Sequence, residues 1–201
     1  YDLTESGSGD TFMVEGRELE KIGSTGRATP SVEIKIINEM GAALPSDEVG
    51  EICLRGPKIF ERYWRDTAKT NLAFQDDWFC TGDAGYLDNE NFLYITDRLK
   101  DMIISGGENI ASLEIERVIQ IMPEVSEVAV VGIPDETWGE VPGAFVVCGK
   151  DHTLTLDRVR EHCGKSLASF KIPKTLTIRD TLPRNPSGKL LKRLIRSDVE
   201  V

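Results

Sequence analysis

The chemistry-bearing residues of this chain sit in a few short stretches. Lys189 ends the run Pro183-Arg184-Asn185-Pro186-Ser187-Gly188-Lys189. That run lies in the most basic part of the chain: from Lys165 to Arg196 there are nine Lys or Arg and one acid, Asp180. Such a segment is either a solvated basic face or a landing site for phosphates. It is not a nucleotide P-loop, because Pro183 stands where the first glycine belongs and Leu190 where Ser or Thr belongs. Gly106-Gly107 follows the apolar residues Met102–Ile104, so the backbone there can turn sharply or approach another group closely. Trp138 offers an indole that either stacks on a ligand or packs over a domain edge. Asp83 reads as a turn residue before a hairpin. Cys148, His152, His162 and Cys163 fit no usual zinc spacing.

Four stretches then occur together in one order. They are Tyr1-Asp2-Leu3-Thr4-Glu5, Thr81-Gly82-Asp83, DRLKDMIISGGEN at 97–109 and PRNPSGK at 183–189. In this order they resemble signature motifs of the adenylate-forming superfamily, in its acyl-CoA synthetase (AMP-binding) branch. The resemblance implies an enzyme that activates a carboxylic acid, a fatty acid in many members, with ATP. An acyl-adenylate forms, and the acyl group passes to coenzyme A.

Roles follow by resemblance only. Lys189 would reach the substrate carboxylate and α-phosphate, and Asp83 would accept from both ribose hydroxyls. Arg98 would contact the nucleotide near the ribose, and Tyr1 would lie near the adenine. Thr4 and Glu5 would meet the α-phosphate, with Glu5 also a ligand of Mg²⁺. Lys100 matches a hinge position on which the smaller domain swings between two half-reactions. Gly106 and Gly107 would line the pantetheine channel, Trp138 would stack on the CoA adenine, and Lys171 and Lys174 would meet CoA phosphates. The implied cofactors and partners are ATP/AMP, Mg²⁺, coenzyme A and a small-molecule carboxylate. Two departures stand out: Asp2 replaces the usual glycine of the first motif, and Ala111 stands where many members carry proline. The family's Gly/Ser/Thr-rich triphosphate loop is not in these residues. The chain also starts inside a motif, so the sequence reads as a truncated fragment, inactive alone. Two other readings stay open: an adenylation enzyme loading a carrier protein, and a non-catalytic module that binds CoA or a partner.

The elements that must position these residues suggest two parts. The chain has 201 residues, 40% hydrophobic and 29% charged, enough for one or two domains with real cores. A net charge of −10 argues against nucleic acid as a partner. No apolar run approaches the roughly 20 residues of a membrane span. The four scattered cysteines read as reduced thiols in a cytoplasmic protein. The expected fold class is α+β. Residues 1–97 would be a β-rich, barrel-like subdomain from the end of a larger N-terminal domain, 98–100 a hinge, and 101–201 a small, mobile α+β domain.

In the first part, strands are expected at Val32–Ile37 and Glu51–Arg55. A hairpin would join Tyr86-Leu87 to Phe92–Ile95, and a short helix would run from Asp66, its N-cap, to Phe74. In the second part, Ser112 would cap a helix bearing Ile115, Val118, Ile119 and Met122, stopped by Pro123. Strands would follow at Val125–Ile133, Ala144–Cys148 and Thr175–Ile178. Thr155 would cap a helix with Val159, Cys163 and Leu167 on one face. Lys189–Ser197 would be a last helix with Leu190, Leu191, Leu194 and Ile195 turned inward.

Overall fold

A computed structural model describes residues 1–199; Glu200 and Val201, the end of the expected second domain, lie outside the described residues. The chain divides into two compact units, Tyr1–Leu99 and Lys100–Val201. Among the described residues no helix is long and apolar enough to cross a membrane.

The first unit is a seven-stranded antiparallel sheet that curls into a half-barrel. Its strands are β1 (Thr11–Phe12), β2 (Ser24–Ala28), β3 (Glu33–Ile37), β4 (Gly50–Arg55), β5 (Phe74–Gln75), β6 (Trp78–Leu87) and β7 (Phe92–Arg98). The order is β1-β2-β7-β6-β4-β3, with β5 also paired to β6. Alternation along β3 and β4 turns Ile34, Ile36, Ile52 and Leu54 to one face, where they pack with Val32 and Leu93. The short helix α1 (Thr67–Ala73) starts where expected, because Asp66 accepts from the Lys69 N–H at 2.9 Å. The hairpin between β6 and β7 turns at Asp88–Asn91, but both strands run well past the apolar residues that mark them in the sequence. β6 reaches back to Trp78, so Thr81-Gly82-Asp83 lies inside a strand rather than in a turn.

The second unit is a five-stranded sheet covered on both faces. It comprises β8 (Ile103–Ser105), β9 (Glu108–Ile110), α2 (Ser112–Gln120), β10 (Val125–Asp135), β11 (Gly139–Cys148), α3 (Leu156–Cys163), β12 (Thr175–Ile178) and α4 (Lys192–Ser197). β11 pairs with β10, runs parallel to β12, and touches β8 through Gly139 and Ser105. The period-2 rule splits its core in two. Val130, Ala144 and Val146 face α2 and α3, meeting Ile115, Ile119 and Val159. Ala129, Val131 and Phe145 face the other way, meeting Leu182 and Ile195.

Two helix expectations are corrected. Ser112 is not the cap of α2: Ala111 holds that place without a side-chain bond, and Ser112 is buried in the first turn. The last helix begins at Lys192, not Lys189, which rotates its buried face. Lys192 and Ile195 point inward, whereas Leu194 is exposed.

Both corrections have one cause. β10 is an edge strand, and the Val130 N–H on that edge donates to Glu116 Oε1 of α2 at 2.6 Å. Lys192 Nζ of α4 reaches the same oxygen at 2.7 Å and donates to Ser112 Oγ at 2.7 Å. Lys192 and Glu116 are each only 9% exposed, so this pair joins the helices on opposite faces of the sheet from inside. Removing one partner leaves a buried charge uncompensated, which costs about 3–5 kcal/mol. Glu116→Ala should therefore lower the urea midpoint of the second unit sharply. A shift no larger than that of an exposed Glu→Ala control would refute the clasp.

Candidate functional site

In the first unit the site is built on the β6–β7 ladder. Asp83 and Arg98 are direct partners across it. Gly82 sits at φ +74°, a conformation glycine adopts freely, and its N–H donates to Glu51 Oε1 at 2.9 Å. Thr81 Oγ1 donates to the Ile52 carbonyl at 2.8 Å and accepts from the Asp83 N–H at 3.1 Å. These bonds fix a carboxylate that is almost fully buried. Asp83 Oδ2 accepts from the Tyr1 hydroxyl at 2.7 Å, and Oδ1 lies 3.3 Å from Arg98 Nε. Burial, then the Asp83 charge, pushes the Tyr1 phenol far above its ordinary range, so it stays a donor. A carboxylate has about four acceptor positions. Two are used here, and the others can accept from a ligand's hydroxyls.

Thr4 and Glu5 form a 3₁₀ turn with Ser6. A segment from Gly56 to Tyr63 clasps it. The Phe60 N–H donates to the Glu5 carbonyl at 2.8 Å, and the Tyr63 hydroxyl donates to Glu5 Oε1 at 3.0 Å. Lys58 donates to the carbonyls of Ser8 and Gly9, and its ammonium is 3.0 Å from the buried Asp10. Asp2 lies outside the left-handed region, so this turn does not require the glycine usual there. Thr4 is exposed and Glu5 half-buried. Among the described residues no cluster of three or more His, Cys, Asp or Glu could hold a metal alone. One carboxylate beside a hydroxyl fits Mg²⁺, which binds through one or two carboxylates and completes its shell with water and substrate phosphates.

In the second unit, Gly106-Gly107 is the two-residue turn between β8 and β9. Both residues have positive φ, +60° and +88°, as this hairpin type requires. A Cβ on Gly106 would lie 2.7 Å from the Trp138 ring, and the Gly106 N–H donates to the Trp138 carbonyl at 2.8 Å. Gly107 has open space around it. Trp138 thus packs on Gly106 with one side and is 55% exposed. Lys174 lies at the same end of β11, its N–H donating to the Pro142 carbonyl at 2.8 Å, with an exposed side chain. Lys171 is instead engaged, 2.6 Å from Glu114. Lys100 lies in a 3₁₀ turn, Leu99–Asp101, and its carbonyl accepts from Arg196.

Lys189 is exposed on a tight, internally bonded loop. Asn185 organises it: its Oδ1 accepts from the Lys189 N–H at 2.8 Å, and its N–H donates to the Lys189 carbonyl at 2.9 Å. Arg184 ties the loop to Glu127 at 2.6 Å. Sequence reasoning missed Tyr63, which holds Glu5, and Lys58, which holds the segment Ser8–Asp10 that follows the turn. No pattern marks them, since their partners lie about 50 to 58 positions away in the chain.

Two family profiles match these regions. The AMP-binding enzyme profile matches residues 1–64, and the AMP-binding enzyme C-terminal domain profile matches 114–189. A long-chain-fatty-acid–CoA ligase of Mycobacterium tuberculosis is 44% identical over 98% of this chain and 39% of its own length. An o-succinylbenzoate CoA synthetase of Bacillus subtilis, solved with its acyl-adenylate intermediate, superposes with a TM-score of 0.92 at 40% identity. The alignment covers 98% of this chain and 40% of that one. The same synthetase solved with ATP and magnesium ion gives a TM-score of 0.90 at 38% identity, over 100% of this chain and 40% of that one. The chain thus spans about two fifths of the length of these relatives.

Tyr1→Phe should cost about 1–2 kcal/mol by removing a hydrogen bond to a buried carboxylate. Urea unfolding checks this, and an unchanged midpoint would mean that the hydroxyl does not hold Asp83.

Proposed function

We propose that this chain, which belongs to the AMP-binding enzyme family, supplies part of an ATP-dependent acid–thiol ligase. The carboxylate of the acid attacks the α-phosphorus of ATP and pyrophosphate leaves. The thiol of coenzyme A then attacks the acyl carbon and AMP leaves. The Asp83–Tyr1–Arg98 cluster carries this reading. It is a buried carboxylate, fixed by donors on two sides with acceptor capacity left over, in a fold shared with a synthetase solved with an acyl-adenylate.

Each residue has a task its chemistry suits. Asp83 accepts from the ribose hydroxyls, and Arg98 holds that carboxylate and the nucleotide beside it. Tyr1, kept protonated, packs near the base. Thr4 donates to the α-phosphate. Mg²⁺, when bound, offsets phosphate charge, and Glu5, steadied by Tyr63, is its protein ligand. The exposed Lys189 ammonium stabilises charge between the carboxylate and the α-phosphate. Lys100 is the hinge between the half-reactions. The Gly106-Gly107 turn then faces the pantetheine arm, and Trp138 stacks on the CoA adenine. Lys174 meets CoA phosphates with its free ammonium. Lys171 can join it only by exchanging Glu114 for phosphate.

A fatty acid is the substrate class we assign, supported by the mycobacterial relative, and the cytosol is the compartment. The natural chain containing these residues, assayed for AMP and pyrophosphate over a panel of carboxylic acids with and without CoA, tests this. CoA-dependent turnover of fatty acids with a thioester product supports it. Turnover of aromatic acids alone would reassign the substrate, and adenylate formation indifferent to CoA would point to a carrier-protein loader.

In the same chain, Lys189→Ala should abolish pyrophosphate release by about 10²-fold or more, as for loss of a preorganised charge-stabilising group. CoA attack on preformed adenylate should be largely kept; equal loss in both half-reactions would remove Lys189 from its role. Lys100→Pro fixes φ at the hinge and should slow the thioester step more than adenylation. No difference between the two steps would count against a hinge there.

A further inference from the structure

Cys53 on β4 and Cys80 on β6 stand directly opposite each other. Lys35 on β3 is the partner of Cys53, so Lys35, Cys53 and Cys80 form one row across three strands. Alternation puts this row on the face turned away from Ile52 and Leu54, hence away from the apolar core of the unit. The two sulfurs are 3.3 Å apart, and the Cys53 thiol donates to Cys80 Sγ.

The backbone already suits a covalent link. Opposed residues of an antiparallel pair have Cα atoms about 4.5–5.5 Å apart, and a disulfide accepts Cα separations of about 4.4–6.8 Å. Closing the link shortens the 3.3 Å separation of the sulfurs to a bond of about 2.05 Å.

The two thiols are also unequal. Cys53 is fully buried, and Cys80 is partly exposed. The hydrogen bond from Cys53 brings the Cys80 thiol below its ordinary range. Burial and Glu51 oppose this, and the Lys35 ammonium adds to it. That same hydrogen bond, then burial, drives the Cys53 thiol far up. A partly exposed sulfur, made more acidic than an ordinary thiol, beside a buried thiol within reach is the arrangement of an attacking and a resolving cysteine. The remaining cysteines lack it. Cys163 is buried, with its thiol pushed up to about 11, and Cys148 is a free thiol of the other unit.

We propose that Cys53 and Cys80 are a redox-active dithiol that reacts with low-molecular-weight disulfides and closes to a cross-strand disulfide. The Cys80 thiolate attacks one sulfur of the small disulfide. That S–S bond breaks, and the first small thiolate leaves and takes up a proton. Cys53 then gives up its proton, attacks Cys80 Sγ and expels the second small thiol. Two protein thiols are oxidised and one small disulfide is reduced to two thiols. The resulting link staples β4 to β6 at the strand pair that carries Thr81-Gly82-Asp83. It does not depend on the ligase reading.

The test treats the reduced natural chain with glutathione disulfide, quenches with an alkylating agent and maps peptides by mass. The expected product is a Cys53–Cys80 linked peptide lacking two hydrogens, with no glutathione left on Cys80, and reversed by dithiothreitol. In Cys53→Ser the glutathione adduct on Cys80 should instead accumulate. A stable adduct on Cys80 of the unmutated chain would overturn the proposal, as would Cys80 remaining unmodified, whether or not Cys148 reacts. The unmutated chain decides the question even if Cys53→Ser folds poorly.

Discussion

The register of β6 against β7 is the constraint on which the first unit's candidate site depends. It sets Asp83 opposite Arg98, and the side-chain period of two means that a slip of one residue would turn Asp83 to the other face. The flanking residues guard that register. Gly82, in a left-handed conformation, lets its N–H reach Glu51, and Thr81 binds the Ile52 carbonyl on β4. Tyr1 closes the cluster from 82 positions away in the sequence. An almost buried carboxylate is tolerated there because it is met by a phenolic donor and a guanidinium.

The second unit solves a different problem. Its edge strand β10 offers an N–H outward, and an unpaired one in a buried place would cost stability. Glu116 covers it and Lys192 neutralises Glu116, so one polar cluster joins the helices on both faces of the sheet. Lys192 follows Lys189 by three residues, so the anchor of α4 also fixes where the Asn185–Lys189 loop begins its return. The loop adds its own bonds through Asn185 and Arg184, and the Lys189 side chain stays exposed on it.

The two units divide the tasks of the proposed reaction. The first holds a fixed carboxylate and a clasped acidic turn, both suited to a nucleotide. The second presents an exposed lysine on one loop and, at one end of β11, a bare glycine turn beside a half-exposed indole.

Much of this was legible in the sequence, for physical reasons. Apolar alternation marks β3, β4 and β10, and the helical spacings of Ile115 with Ile119 and of Val159 with Cys163 mark α2 and α3, because burial enforces those periods. The cap at Asp66 is a local side-chain-to-backbone bond, so local sequence carries it. The four motifs and their order identified the family, since they place unusual residues at fixed spacing. Sequence alone could not show that Thr81–Asp83 is strand, because its polar residues are paired by neighbours on β4 and β7. It could not assign Ser112 and Lys192 to a buried cluster, or Tyr63 to Glu5, or set Cys53 against Cys80. Those contacts join residues 27 to 80 positions apart. Periodicity and motif therefore determined which elements form and which residues are candidates to carry chemistry. Strand register and helix rotation, which are long-range packing choices, decided which of those residues meet.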